Sequence, residues 1–419
     1  MMKRLTKTLG SLLAAAVLST AATAAVPDAA LIQRGEYVAR AGDCIACHSA
    51  AGKPAFAGGV QFDIGHGIIY STNITPDKLR GIGNVTEQQF ADMVRKGVRP
   101  DGAYLYPAMP YPSYAKVSDA DIKALYAYFM NGVKPSNYVP PATDLSFPFS
   151  LRIGMRVWNW FFSADAQFKA QPGWSAEVTR GAYLVEGLGH CGSCHTPRGV
   201  GMNEKGLDGS SKNYLAGGEL SDWPTPSLRG LPRWDQAAIV DYLQTGRNLN
   251  GAVAGEMTSV VQHSTSHLND ADLHAIAAYL KTLHPVATSG SVKPQGSKET
   301  IAKLTAAQNL TLGERLYLDN CAACHFVTGK GATRVFPQLD GATVINAENP
   351  NALLHVILAG ERTPSTPKAP SVLVMPGFAK RLNDAEAAAL ATFLRQGWTN
   401  TADSVSEKDV RKVRAILTK

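Results

Sequence analysis

The sequence predicts an all-α protein made of three tandem units, and three observations carry that expectation. The pattern C-x-x-C-H occurs three times, as Cys44/Cys47/His48, Cys191/Cys194/His195 and Cys321/Cys324/His325. A short helical stretch with a glycine and an aromatic residue precedes each motif, in RGEYVARAGDCIACH, RGAYLVEGLGHCGSCH and LGERLYLDNCAACH. Far downstream of each comes a second helical pattern, SDADIKALYAYFMNGV, NDADLHAIAAYLKTL or NDAEAAALATFLRQGW.

Taken in chain order, residues 1–25 have a basic start at Lys3, Arg4 and Lys7, then an apolar run, then the small-x-small triplet Ala22-Thr23-Ala24. That is the layout of a secretory signal peptide, and it implies export. The run from Leu9 to Val17 is short for a membrane span. The units are expected at 28–165, 166–288 and 300–400, with a Ser/Gly/Pro/Lys-rich linker at 289–299 and a charged tail at 401–419. Within each unit a middle helix, TEQQFADMVRKG, DQAAIVDYLQTG or PNALLHVILAG, ends at Gly97, Gly246 or Gly360, where a left-handed C-terminal cap is expected. The closing helices start at Ser118, Asn269 and Asn383. Each has an acidic residue three positions on, Asp121, Asp272 or Glu386, as in a capping box.

All six cysteines fall in the three motifs, so none is left over for a disulfide. Structural zinc would bring two neighbouring Cys/His pairs into one tetrahedron, whereas these motifs are more than a hundred residues apart. A redox dithiol would sit beside a βαβ pattern, which the chain lacks. Covalent haem attachment fits. Each thiol of Cys44 and Cys47, Cys191 and Cys194, or Cys321 and Cys324 can add to one haem vinyl group, and the adjacent His48, His195 or His325 turns onto the iron. Three covalently bound haem c groups are therefore expected. A helix, a haem motif, a long loop and two further helices make up a small cytochrome c-like domain, here in three tandem copies.

The sixth iron ligand separates electron transfer from oxygen or peroxide chemistry. Met375, in VMPGF, is the only methionine of the third unit and lies eight residues before Asn383. Met109, in AMPYP, occupies the matching place nine residues before Ser118, whereas Met93 and Met130 fall at apolar helical positions. Met257 follows His195 by 62 residues, close to the 61 between His48 and Met109. Met109, Met257 and Met375 are the expected axial ligands, with His263 and His267 as rivals to Met257. Thioether sulfur favours ferrous iron, so His/Met haems carry electrons. Arg99, Arg247 and Arg362 follow the middle helices, where each could pair with a haem propionate or complement a helix C-terminus.

The formal charge of +7 falls to +4 when the three cations of the leader are removed (7 − 3), which gives no reason to expect a nucleic-acid partner. The segment FPFSLRIGMRVWNWFFSADAQF, residues 147–168, is too short to span a bilayer. Its Trp and Phe beside Arg152 and Arg156 suit either a membrane interface or a protein interface.

RGEYVARAGDCIACH, IYSTNITPD, LYPAMPYPSYAKVSDADIKALYAYFMNGV, GHCGSCHTPRG and VMPGFAKRLND together resemble the triple-haem cytochrome c subunit of bacterial membrane-bound dehydrogenases. The resemblance covers all three units. It implies a non-catalytic electron-transfer subunit with no substrate site of its own. Electrons would come from a catalytic dehydrogenase subunit, expected to contain FAD and to oxidise a sugar or a gluconate-like sugar acid. They would pass to ubiquinone or the respiratory chain at the periplasmic face of the cytoplasmic membrane, which the chain would touch peripherally. The resemblance also extends to the cytochrome subunit of PQQ-dependent alcohol dehydrogenase. A stand-alone multi-haem peroxidase and a free periplasmic shuttle are the rival classes; the peroxidase needs an open haem face, and the shuttle has no fixed partner.

Overall fold

The computed structural model describes residues 28–163, 167–220, 222–286 and 296–418. The signal-peptide segment, the junction between the first two units and residues 289–295 of the expected linker lie outside the described residues. The first unit contains α1 (Ala29–Ala41), α2 (Cys44–His48), β1 (Gln61–Asp63), β2 (Gly67–Tyr70), α3 (Glu87–Lys96), α4 (Tyr111–Tyr114), α5 (Asp119–Asn131), β3 (Asp144–Leu145) and α6 (Ile153–Phe162). The second contains α7 (Ala176–Tyr183), a π-helical turn at Leu184–Leu188, α8 (Gly192–His195), β4 (Gly218–Leu220), β5 (Trp223–Thr225), α9 (Gln236–Thr245), α10 (Glu256–His263) and α11 (Asp270–Thr282). The third contains α12 (Ser297–Ala306), α13 (Leu312–Asn320), α14 (Ala322–His325), α15 (Thr343–Asn346), α16 (Asn351–Ala359), β6 (Gly360–Arg362), β7 (Val374–Pro376), α17 (Asp384–Gln396) and α18 (Glu407–Leu417). The strands are short and antiparallel: β1-β2-β3, β4-β5 and β6-β7.

One crossing recurs three times. In each unit the helix that leads into the motif, α1, α7 or α13, packs on a later helix, α5, α11 or α17, through a glycine, and a Cβ on Gly35, Gly181 or Gly313 would collide with the carbonyl oxygen of Ala124, Ala275 or Ala389. Two helix backbones approach this closely only where one residue has no side chain. The crossing fixes the segment that leads into each Cys-x-x-Cys-His motif. Tyr37, Tyr183 and Tyr317 lie on the same three helices.

The first two units share one hydrophobic core, which includes Val38, Phe90, Leu125 and Phe129 from the first and Leu184, Leu188, Ile276 and Tyr279 from the second. Their polar contacts are reciprocal. The Tyr37 hydroxyl donates to Asp272 Oδ2 at 2.5 Å, and the Tyr183 hydroxyl donates to Asp121 Oδ2 at 2.7 Å. Each aspartate is also held by an arginine of its own unit, Asp272 by Arg180 and Asp121 by Arg34. This arrangement alters the expected capping boxes. Ser118 and Asn269 cap their helices by accepting from the N–H of Asp121 and Asp272, but those carboxylates turn to the arginines and tyrosines instead of back to the cap. Only Asn383 and Glu386 make the full box.

The third unit has its own core around Tyr317, Leu354, Leu390 and Trp398. Two segments gain structure here. Residues 297–299 of the expected linker open α12, and the charged tail forms α18. That helix is amphipathic: Val410 and Val413 are fully buried, while Arg414 binds Asp384 and the carbonyls of Ala379 and Leu382. Gly97 and Gly246 adopt the expected left-handed cap, whereas Gly360 has φ 75° with an extended ψ and leads directly into β6.

Candidate haem sites

Each Cys-x-x-Cys-His motif forms a single short helical turn, α2, α8 or α14, after the glycine-crossed helix, with the π-helical turn at Leu184–Leu188 in between in the second unit. In all three turns the histidine Nδ1 faces a backbone carbonyl. His48 pairs with Thr72 at 2.7 Å, His195 with Pro226 at 2.8 Å and His325 with Pro337 at 2.9 Å. A carbonyl can only accept, so Nδ1 carries the proton and Nε2 keeps its lone pair for a metal. Burial lowers the pKa of all three imidazoles, which favours this neutral, ligating form.

The thiols differ from those of a redox dithiol, whose reactivity comes from a lowered pKa. Burial pushes Cys44, Cys47, Cys191 and Cys321 up to about 12, and raises Cys194 as well. After burial, the charges on Asp43, Cys194 and Glu256 push Cys47 further in the same direction. Asp43, Glu256 and the attachment thiols of the first two units therefore lie within electrostatic reach of one another. Helix α10, which carries Met257, packs against α2 of the first unit at this junction.

The three methionines sit on unlike supports. Met109 is in a turn, partly buried against the shared core and followed by the buried helix α4. Tyr114 of that helix donates to the carbonyl of Gly42 at 2.6 Å, tying the methionine loop to the residue two before Cys44. Met375 lies on β7, inward-facing between exposed Val374 and Pro376, and packs on the third core. Met257 is the second residue of α10 and half-buried. Of its rivals, His267 is exposed with Nε2 on the Gln262 carbonyl, and His263 is the last residue of the same helix. Met93 and Met130 pack against the shared core, as helical spacing suggested.

The three arginines also separate. Arg99 is paired with Asp101, and Arg362 is exposed on β6. Arg247 is buried, and its Nε and Nη1 have no hydrogen-bond partner. A buried guanidinium with two free donors is costly. A haem propionate is the acceptor that its fork geometry matches. With paired thiols, a poised Nε2 and this unpaired cation, the residues present fit the haem that the motifs imply.

Sequence reasoning missed the backbone carbonyls that orient the histidines. They follow their histidines by 24, 31 and 12 residues, so no fixed spacing could reveal them. Thr72 is placed by its neighbours: buried Asn73 donates to the carbonyls of Ser136 and Tyr138.

The sequence pattern of the cytochrome c family matches residues 32–132, 178–284 and 310–398. The chain is 46% identical over 408 residues to the alcohol dehydrogenase (quinone) cytochrome c subunit of Gluconobacter oxydans, covering 95% of this chain and 85% of the relative. It is 43% identical over 418 residues to the gluconate 2-dehydrogenase cytochrome c subunit of Pantoea cypripedii, covering 96% and 94%. The fructose dehydrogenase cytochrome subunit of Gluconobacter japonicus is 37% identical over 417 residues, covering 92% and 82%. Three family matches in tandem, each containing one attachment turn with its histidine aimed alike, make this chain a member of the cytochrome c family, in the group of cytochrome c subunits of bacterial dehydrogenases.

Proposed function

We propose that this chain is the electron-relay subunit of a dehydrogenase complex. It holds three covalent haems through Cys44/Cys47, Cys191/Cys194 and Cys321/Cys324. The residues that would ligate the irons are His48 and Met109, His195 and Met257, and His325 and Met375. When bound, each haem would exchange one electron between its ferric and ferrous states. The protein's part would be to offer each iron an imidazole Nε2 and a thioether sulfur, and to keep the imidazole neutral. The observation that carries the reading is the threefold Nδ1-to-carbonyl contact, because it orients all three histidines for the same task.

The donor is a catalytic dehydrogenase subunit that contains FAD and oxidises a sugar or sugar acid, as the gluconate and fructose relatives suggest. The 46% identity to a quinone alcohol dehydrogenase subunit favours a second reading, with a PQQ-containing partner. The acceptor is ubiquinone or the respiratory chain at the periplasmic side of the membrane, which the chain reaches after export by residues 1–25.

No described helix is long and apolar enough to cross a membrane. Contact is assigned to α6. Its inner face is occupied, since Trp158 donates to the Gly201 carbonyl at 2.7 Å and packs edge-on against Tyr111. Its outer face exposes Ile153, Val157, Trp160 and Phe161 beside Arg156, and exposed Val200 and Met202 lie on the neighbouring loop. Aromatic and aliphatic side chains next to a cation suit a lipid headgroup boundary.

Purifying the native complex from membranes tests the reading. The mature chain should carry three haem additions by mass and bring down one dehydrogenase subunit, whose extracted FAD or PQQ separates the two partners. Val157→Ser/Trp160→Ser/Phe161→Ser should release the complex from membranes with its haems retained. Two or fewer haems in fully matured protein refutes the relay as drawn. Loss of the partner, with the membrane hold kept, moves α6 to the subunit interface.

A further inference from the structure

The second and third units meet at the two methionine segments. Strands β6 and β7 pair antiparallel with Glu361 directly opposite Met375, so both side chains leave the ribbon on the same face. The ribbon is pressed onto the end of α16: Cβ atoms on Gly360 and Gly377 would collide with the backbone of Met375 and Ala359. Glu361 is thus held in place by the same backbone that holds Met375.

Its carboxylate leaves the third unit. Glu361 Oε1 accepts the N–H of Gly255 at 3.1 Å. Gly255 is the N-cap of α10, at φ 58°, and its own side of the helix offers no capping side chain. Met257 is two residues further on. The indole of Trp223 closes the other side of the junction; a Cβ on Gly255 would come 3.0 to 3.2 Å from its ring atoms, and the ring stands 5.2 Å from that of His355 on α16. An unsatisfied N–H at a helix start is met here by a side chain from another haem unit.

We propose that Glu361 is a positioning residue that couples the axial ligands of the second and third haems. It sets the start of α10, and with it Met257, from the strand that presents Met375. The inference rests on reading Met257 and Met375 as iron ligands. Its consequence is that a substitution in the third unit changes the haem of the second.

The test uses the full chain matured with its haems. Met257→Ala and Met375→Ala first assign the second and third haem signals, by the component that each changes in a redox titration and in the methionine-to-iron absorption band. Glu361→Ala should then shift the midpoint of the component assigned by Met257→Ala. It should also let imidazole displace methionine from that ferric haem at about tenfold lower concentration, a factor equal to about 1.4 kcal/mol. Glu361→Gln keeps an amide oxygen for the Gly255 N–H and should restore both readings. Far-UV circular dichroism confirms that the variants are folded, and Glu361→Gln keeps the test open if Glu361→Ala is not. The coupling is overturned if folded Glu361→Ala leaves the second haem unchanged, or if Glu361→Gln perturbs it as much as Glu361→Ala. If Met257→Ala leaves all three haems unchanged, the ligand assignment falls and the coupling with it.

Discussion

Lys116 offers the sharpest test of how the first two units are joined. Its ammonium lies 3.1 Å from Glu186 Oε2, and the two side chains are only 8% and 5% exposed. The ammonium also donates to the carbonyl of Leu207. The other carboxylate oxygen of Glu186 accepts from the Gly209 N–H at 3.0 Å and from the Tyr279 hydroxyl. Lys116→Met keeps a similar side-chain volume and removes the ammonium with its charge and its donors, so the cavity term is small. Removing one partner of a buried pair costs about 3–5 kcal/mol. The two donors left on Glu186 hold the loss near the lower bound, and the stranded Leu207 carbonyl adds about 1 kcal/mol. The sum, about 4 kcal/mol, shifts the unfolding equilibrium on the order of 10³-fold. Denaturant unfolding of the haem-loaded chain, followed by far-UV circular dichroism, measures it. Lys116→Met/Glu186→Gln removes both charges yet keeps an oxygen for Tyr279 and Gly209, so it should recover to within about 1 kcal/mol of the parent. A single variant within about 0.5 kcal/mol of the parent, or a double variant no better than the single, would refute the reasoning.

Two further outcomes follow from the geometry. Met375→Ala should open one haem to carbon monoxide and lower its midpoint while the other two keep their spectra, because the soft sulfur is lost; three unreactive haems would count against the ligand. Burial alone would raise the pKa of Asp272, but its bonds to Arg180 and Tyr37 outweigh this and hold it below the usual carboxylate range. Its contribution to stability is therefore complete above the unfolded value, near 3.9, and is lost as pH falls through the lower folded value. The stability gap between the parent and Asp272→Asn should be constant from about pH 5 to 7 and shrink below about pH 4. A gap that stayed constant into acid would remove that role.

The attachment turns were legible because their chemistry is local: two thiols and an imidazole within five residues need no distant partner to be recognised. The helices on either side were legible for a related reason, since a glycine, an aromatic and an apolar repeat report one packing face along one helix. The helix within the charged tail was not legible because its sequence is highly charged. Val410 and Val413 are too few to announce a core face until α16 and α17 are there to receive them. The capping boxes at Ser118 and Asn269 failed because Asp121 and Asp272 pair instead with an arginine of their own unit and a tyrosine of the neighbouring one.

The sequence by itself determined the number of units, the three Cys-x-x-Cys-His motifs and the order of helices, all of which depend on residues close together in the chain. The tertiary structure decided what joins the units and what surrounds the motif histidines. It selected Arg247, among three matched arginines, as the unpaired buried cation, and chose the carbonyls that orient the histidines. It also placed Glu361 against the helix of Met257, 106 residues away from Gly255 in sequence. Those contacts arise only when separate units bury their faces against one another, because a backbone carbonyl or a carboxylate on a short strand acquires its role from what is brought to it in space.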